Sequence, residues 1–175
     1  TFVGPSPAAL ELFGDKAKAK ALARSCDVPV IDGTQGPTTL EEVRAFLATH
    51  GAVMIKAIAG GGGRGMRIVD DVAKLEEAYA RCQSEAMAAF GSGEVYVERL
   101  IRKARHIEVQ IVGDRHGAIS HLWERECTIQ RRNQKLIEVA PSPSLTEALR
   151  TRIIGAAKQL AAAAQYDNLG TFEFL

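Results

Sequence analysis

"MIKAIAGGGGRGMRIV", residues 54–69, places five glycines in six positions and flanks them with two short β-branched runs. A chain gives up that many side chains for backbone freedom or for close approach of backbone to a ligand. By spacing alone, Gly60-x-Gly62-x-x-Gly65 satisfies the dinucleotide fingerprint. That fingerprint needs a helix opening at the loop, so that its N-terminus meets the pyrophosphate. Here the residues after Gly65 read as a strand, and the helical pattern starts only after Asp70. The Walker A pattern fails too, because Met66 and Arg67 stand where Lys and Ser or Thr are needed. What survives is a strand–glycine loop–strand hairpin with Lys56 four residues before the first glycine. Its successive bare N–H groups suit phosphate oxygens, and Lys56 and Arg64 add charge; a flexible surface hairpin is the alternative.

On either side of this hairpin, helices alternate with strands. Residues 5–26 are Ala- and Leu-rich and read as helical, with Pro5 and Pro7 at the start and a break and fresh cap at Gly14–Asp15. "VPVIDGTQGP" (28–37) reads as a strand stub and a turn-rich connection. Thr39 with Glu42 has the spacing of a capping box, opening a helix to about His50. Strands are expected over 52–57, 65–69 and 94–101, with a helix over about 72–89 capped by Asp70 or Asp71. Two more strands between Arg105 and Glu126 meet at "GDRHG", and Thr146 caps a last helix to about Ala164 before a final strand, "LGTFEFL". The organisation is α+β or mixed α/β.

At 175 residues and 46% hydrophobic, the chain can bury a real core. Its 22 basic and 21 acidic residues leave a net charge of +1, which argues against nucleic-acid binding. No apolar run approaches the ~20 residues of a membrane span, so no membrane role is expected. Cys26, Cys82 and Cys127 are far apart, odd in number and without metal spacing, and read as reduced thiols in a cytosol-like compartment. The start at Thr1 without Met and the end inside a strand point to a piece of a longer protein.

Three polar stretches could carry chemistry. In "ARHIEVQIVG", Ile107, Val109 and Ile111 share one face of a strand, and His106, Glu108 and Gln110 share the other. That polar face is either solvated or suited to a ribose or adenine. "ERECTIQRRNQK" (124–135) interleaves Arg125, Arg131, Arg132 and Lys135 with Gln130 and Asn133, as a solvated charge run or as a network holding a small oxyanion. In "TFEFL", Glu173 lies opposite Phe172 and Phe174, either exposed or, beside phosphates, a Mg²⁺ ligand. Cys127 reads as a buried structural thiol.

In this order, "FVGPSP", "GDKAKAK", "IKAIAGGGGRGMRIV", "RHIEVQIVGD", "ERECTIQRRNQK" with "EVAPSP", and "GTFEFL" resemble the biotin carboxylase family of the ATP-grasp superfamily. The resemblance spans the whole chain. It implies an ATP-dependent ligase that converts MgATP and bicarbonate to carboxyphosphate and then carboxylates biotin on a carrier protein. The implied fold is ATP-grasp: linker helices (1–27), a glycine-rich lid (28–100) and the first part of a C-terminal subdomain (101–175). The resemblance makes Lys16 and Lys56 the lysines on the nucleotide phosphates. Gly60, Gly61, Gly62, Gly63, Arg64, Gly65 and Met66 would form the closing loop. Glu98, Arg99, Leu100 and Ile101 would be the hinge beside adenine. His106, Gln130 and Asn133 would lie near the nucleotide, Lys135 would hold bicarbonate, and Glu173 would bind Mg²⁺ (or Mn²⁺).

The family usually has His at the position of Asn133. Its further metal carboxylate, base and biotin-binding arginines lie beyond Leu175, so the chain alone is expected to be inactive. Implied partners are a biotin carboxyl carrier protein or domain, a carboxyltransferase subunit or domain, and a second copy in a homodimer. The implied compartment is the cytoplasm, or the mitochondrial matrix in a eukaryote. Another ATP-grasp ligase, such as a carbamoyl-phosphate synthetase large chain, and a non-catalytic nucleotide-binding module are the alternatives.

Overall fold

The computed structural model describes residues 2–59, 64–131 and 133–175. The loop glycines Gly60, Gly61, Gly62 and Gly63, and Arg132, lie outside the described residues. The chain forms two compact units, one of Gly14–Ala21 with Pro29–Arg102, the other of Thr1–Phe13, Leu22–Val28 and Lys103–Leu175. The opening helical stretch breaks where expected, into α1 (Pro7–Gly14) and α2 (Lys16–Ser25). Asp15 makes the break, because its Oδ1 accepts the backbone N–H groups of Ala17 and Lys18 at 2.9 and 3.1 Å.

The first unit is a three-stranded antiparallel sheet with two helices. Helix α3 (Leu40–His50) opens on the capping box: Thr39 Oγ1 accepts from the Glu42 N–H, and Glu42 accepts from the Thr39 N–H at 2.7 Å. Gly51, left-handed at φ 72°, closes it. Strands β1 (Val53–Ala57), β2 (Met66–Val69) and β3 (Val95–Arg99) pair in the order β2-β1-β3, so the hairpin expected around the glycines is present. Asp71 caps a single 3-10 turn that leads into α4 (Leu75–Phe90). Val53 and Ile55 of β1 and Val95 and Val97 of β3 join Val43, Leu47, Val69, Leu75 and Cys82 in the core. Strand alternation therefore turns Lys56, Tyr96 and Glu98 to the opposite face. The strand stub expected in 28–37 is reduced to one bridge, Gly33 to Glu98. Pro29 has no N–H to give a ladder, and the Ile31 carbonyl is taken by a lysine side chain.

The second unit is a four-stranded antiparallel sheet, order β6-β5-β4-β7, made of β4 (Ile107–Gly113), β5 (Ile119–Arg131), β6 (Gln134–Val139) and β7 (Asn168–Phe174). Helix α5 (Glu147–Ala163), capped by Thr146, packs on β4 and β5. Ile107, Val109 and Ile111 are buried, as the alternation required, together with Ile154, Ala157, Leu160 and Ala161 of α5. Phe13, Tyr166 and Phe172 form an aromatic cluster with centroids 5.2–5.9 Å apart. Gly170 is required beside it, since a Cβ there would lie 1.9 Å from the Tyr166 hydroxyl. The "GDRHG" turn forms as expected, with Asp114 accepting from His116 and Ala118 at 2.8 Å. The charged run 124–135 is part of two paired strands, because strand pairing uses backbone groups that side-chain charge does not reveal.

Candidate functional site

In the first unit, the non-core face of the sheet carries a lysine cluster built around one carboxylate. Lys56 sits at the end of β1, directly opposite Tyr96 of β3. Glu98, two residues on from Tyr96, shares its face and is 4% exposed. Its Oε2 accepts from Lys56 at 2.6 Å; its Oε1 accepts from the Tyr96 hydroxyl at 2.6 Å and pairs with Lys20 at 2.7 Å. Burial alone would raise the Glu98 pKa, but the Lys56 charge and the hydrogen bonds from Lys20, Lys56 and Tyr96 outweigh it and hold the carboxylate ionised. Lys16 donates to the Ile58 carbonyl at 3.2 Å. Burial, and then the Lys56 charge, lower its pKa. Two ammonium groups on Glu98 and a third near it gather positive charge where β1 runs into the glycine loop. Such a cluster can hold an anion.

Gly65 closes that loop in a left-handed conformation (φ 62°), and its carbonyl accepts from the Ala57 N–H at 2.8 Å and the Cys82 thiol at 3.0 Å. A Cβ at Gly65 would crowd the Ala57 Cβ at 3.0 Å, so glycine is required there. Arg64 is exposed, Met66 is half-buried and pairs with Lys56 across the hairpin. Glu98 and Arg99 end β3; the Leu100 N–H bonds the Ala52 carbonyl at 3.1 Å, and Ile101 follows in irregular chain.

In the second unit, the sheet face opposite α5 carries a balanced network rather than a solvated stripe. Glu108 of β4 lies between Arg125 of β5 and Glu173 of β7 in register. Arg125 holds Glu108 Oε1 through Nε and Nη2 at 2.8 and 2.5 Å, and reaches Gln110 at 3.1 Å. Lys135 of β6 bonds both Glu108 and Glu173, the latter at 2.7 Å. Burial works against the Lys135 charge, but these two carboxylates raise its pKa. Hydrogen bonding from His106 and then the Lys135 contacts, against burial, pull Glu173 down to about 2.

Gln130 uses its amide N–H groups on the Cys127 carbonyl at 2.8 Å and His106 Nδ1 at 2.5 Å. That assignment leaves the His106 proton on Nε2, 3.4 Å from Glu173. Asn133 is exposed in the β5–β6 turn at φ 63°, a left-handed position that Asn tolerates better than His. Cys127 is buried, and its thiol is pushed up to about 11 by burial and then by Glu108. It is inert, as expected.

Of the expected site residues, Lys16, Lys56 and Glu98 come together in one cluster, and His106, Gln130, Lys135 and Glu173 in another. Glu108 and Arg125, named in the polar stretches, complete the second; Lys20 and Tyr96 complete the first and were not singled out from sequence. A signal existed for both: Lys20 is four residues after Lys16 on one helix face, and Tyr96 two before Glu98 on one strand face.

The model for "Carbamoyl-phosphate synthase L chain, ATP binding domain" matches residues 15–175. The chain belongs to that family. Pyruvate carboxylase of Aspergillus niger is 52% identical over 99% of this chain, which spans 15% of that protein's length. A crystal structure of biotin carboxylase from Campylobacter jejuni in a β-γ-ATP complex superposes with a TM-score of 0.95 at 47% identity, covering 99% of this chain and 39% of that one. The biotin carboxylase domain of Hydrogenobacter thermophilus 2-oxoglutarate carboxylase, a dimer with MgADP, ADP and bicarbonate, gives 0.94 at 41% identity, again covering 99% and 39%. The α+β fold is thus that of biotin carboxylase ATP-grasp structures, and the chain spans well under half of these relatives. Among the described residues, no helix is long and apolar enough to cross a membrane.

Proposed function

We propose that this chain is the lid and the first part of the C-terminal subdomain of a biotin carboxylase. In that reading residues 1–27 are linker helices, 28–100 the lid and 101–175 the start of the C-terminal subdomain. The enzyme uses MgATP to activate bicarbonate as carboxyphosphate and then carboxylates biotin on a carrier protein. One observation carries the nucleotide reading: two lysines share one buried carboxylate and a third lies near them, all beside a glycine loop.

Lys16 and Lys56 hold the ATP phosphates, the loop Gly60–Gly65 with Met66 covers them, and the Glu98–Ile101 backbone reads adenine. His106, Gln130 and Asn133 lie by the nucleotide. Lys135 binds bicarbonate, its ammonium kept charged by Glu108 and Glu173. Glu173 suits a hard cation, since it is exposed and ionised at every physiological pH. Bound there, Mg²⁺ or Mn²⁺ supplies charge neutralisation between the reacting anions. The chain's own residues do the rest: the lysines bring anions together, and closure of the lid keeps water from a labile mixed anhydride.

Identity with a pyruvate carboxylase and the biotin carboxylase domains supports a biotin carboxyl carrier and a carboxyltransferase as partners, homodimerisation, and a cytoplasmic or mitochondrial-matrix location. ADP release by the longer polypeptide containing this chain tests the reading. It is expected to need bicarbonate and to rise when biotin is added; ADP release indifferent to both contradicts it.

A further inference from the structure

Lys20 is the one member of the lysine cluster to which neither the motifs nor the resemblance gives work. It projects from α2 one turn after Lys16. Its Nζ lies 2.7 Å from Glu98 Oε1, donates to the Ile31 carbonyl at 3.1 Å and stands 5.2 Å from the centre of the Tyr96 ring. Its side chain is 14% exposed. The approach is a built one. A Cβ on Gly33 would come within 3.1 Å of the Lys20 ammonium and 2.6 Å of the Val97 carbonyl, so the connection passes there only as glycine. Lys18, between the two lysines in sequence, is exposed.

The arithmetic of charge gives this contact a consequence. Glu98 carries one negative charge on two oxygens, and Lys20 and Lys56 take one oxygen each. If Glu98 faced Lys56 alone, it would cancel that charge and leave Lys16 as the other ammonium group near the strand end. With Lys20 on the other oxygen, Glu98 divides its charge between two ammonium groups while Lys56 stays held in place. We propose that Lys20 is a positioning residue for nucleotide phosphate: by sharing Glu98, it keeps the charge of Lys56 available to an oligophosphate. The ligand class is a nucleoside di- or triphosphate, and the effect scales with phosphate charge and not with the base. This inference rests on the nucleotide-binding reading above.

The test is calorimetry on the longer polypeptide containing this chain, with ATP, ADP and adenosine as probes. Lys20→Met is expected to weaken ATP about tenfold, ADP less, and adenosine less than about twofold, as for loss of one nearby charge at a partly buried site. Lys20→Arg restores ATP affinity, and raising salt shrinks the difference between Lys20→Met and wild type. Lys20→Gln keeps a donor for the Ile31 carbonyl but no charge, so it decides the question even where Lys20→Met does not fold. A selective loss of ATP supports the proposal; affinity for ATP like wild type, or equal losses for ATP and adenosine, overturns it. Wild-type protein that binds no ATP overturns the nucleotide reading itself.

Discussion

The two charged clusters are built on opposite plans. In the first unit, Lys20 and Lys56 share one carboxylate and Lys16 lies near them, so lysines outnumber that carboxylate. In the second unit, Glu108, Glu173, Lys135 and Arg125 set two acids against two bases, with Glu138 3.4 Å from Arg125 as a third acid. A cluster rich in ammonium groups attracts an anion from solution, whereas a lattice in which each charge meets an opposite partner mainly fixes side chains in position. The first cluster should therefore govern phosphate affinity, and the Glu108–Arg125 pair of the second the order and stability of the sheet.

Substitutions that cross these roles test the contrast. Lys56→Met should lower ATP affinity about 100-fold, as expected for loss of a charge-assisted phosphate contact, and lower the urea midpoint no more than Arg125→Met does. Lys20 and Tyr96 still bond Glu98 Oε1 in that variant, while Oε2 loses its Lys56 partner. Arg125→Met should do the reverse. It strips two hydrogen bonds from the buried Glu108 carboxylate and should cost about 1–3 kcal/mol in urea unfolding, with ATP affinity changed far less than by Lys56→Met. If Arg125→Met destroyed ATP binding without destabilising the protein, the division of labour would be wrong.

A smaller effect sharpens the picture on the other face of the second sheet. Glu126 is held at about 2 by hydrogen bonds from Ser144, then Arg105, Ser142 and Thr128. Because its folded pKa is depressed, the stability it lends is complete above the ordinary value of 4.5 and is lost as pH falls from there through about 2. Glu126→Gln should flatten the pH dependence of the urea midpoint over that acid window and leave it unaltered near neutrality. An unchanged acid slope would count against this network.

Much of the fold is written locally. The capping box at Thr39, the Asp15 break, the "GDRHG" turn and the alternation of Ile107, Val109 and Ile111 each depend on neighbours a few residues away, and each appears as the sequence reads. The misread parts depend on distant partners. Residues 28–32 look strand-like, but Pro29 and the Lys20 contact withhold the groups that a ladder needs. Residues 134–139 read as no strand in the sequence, yet β5 supplies a pairing edge for them. The candidate site follows the same rule. The lysine before the glycines stands out in sequence, whereas its tie to Glu98 joins positions 42 residues apart. The polar face of β4 reads either as solvated or as a ligand site, because Arg125 and Lys135 reach it from other strands.

The central claim, that this chain serves a biotin carboxylase, is tested most directly by transfer of radiolabelled bicarbonate to biotin by the longer polypeptide that contains it. The account predicts label on biotin that requires both ATP and Mg²⁺ and disappears with Lys56→Met. Label transfer without ATP, or undiminished in Lys56→Met, would contradict it.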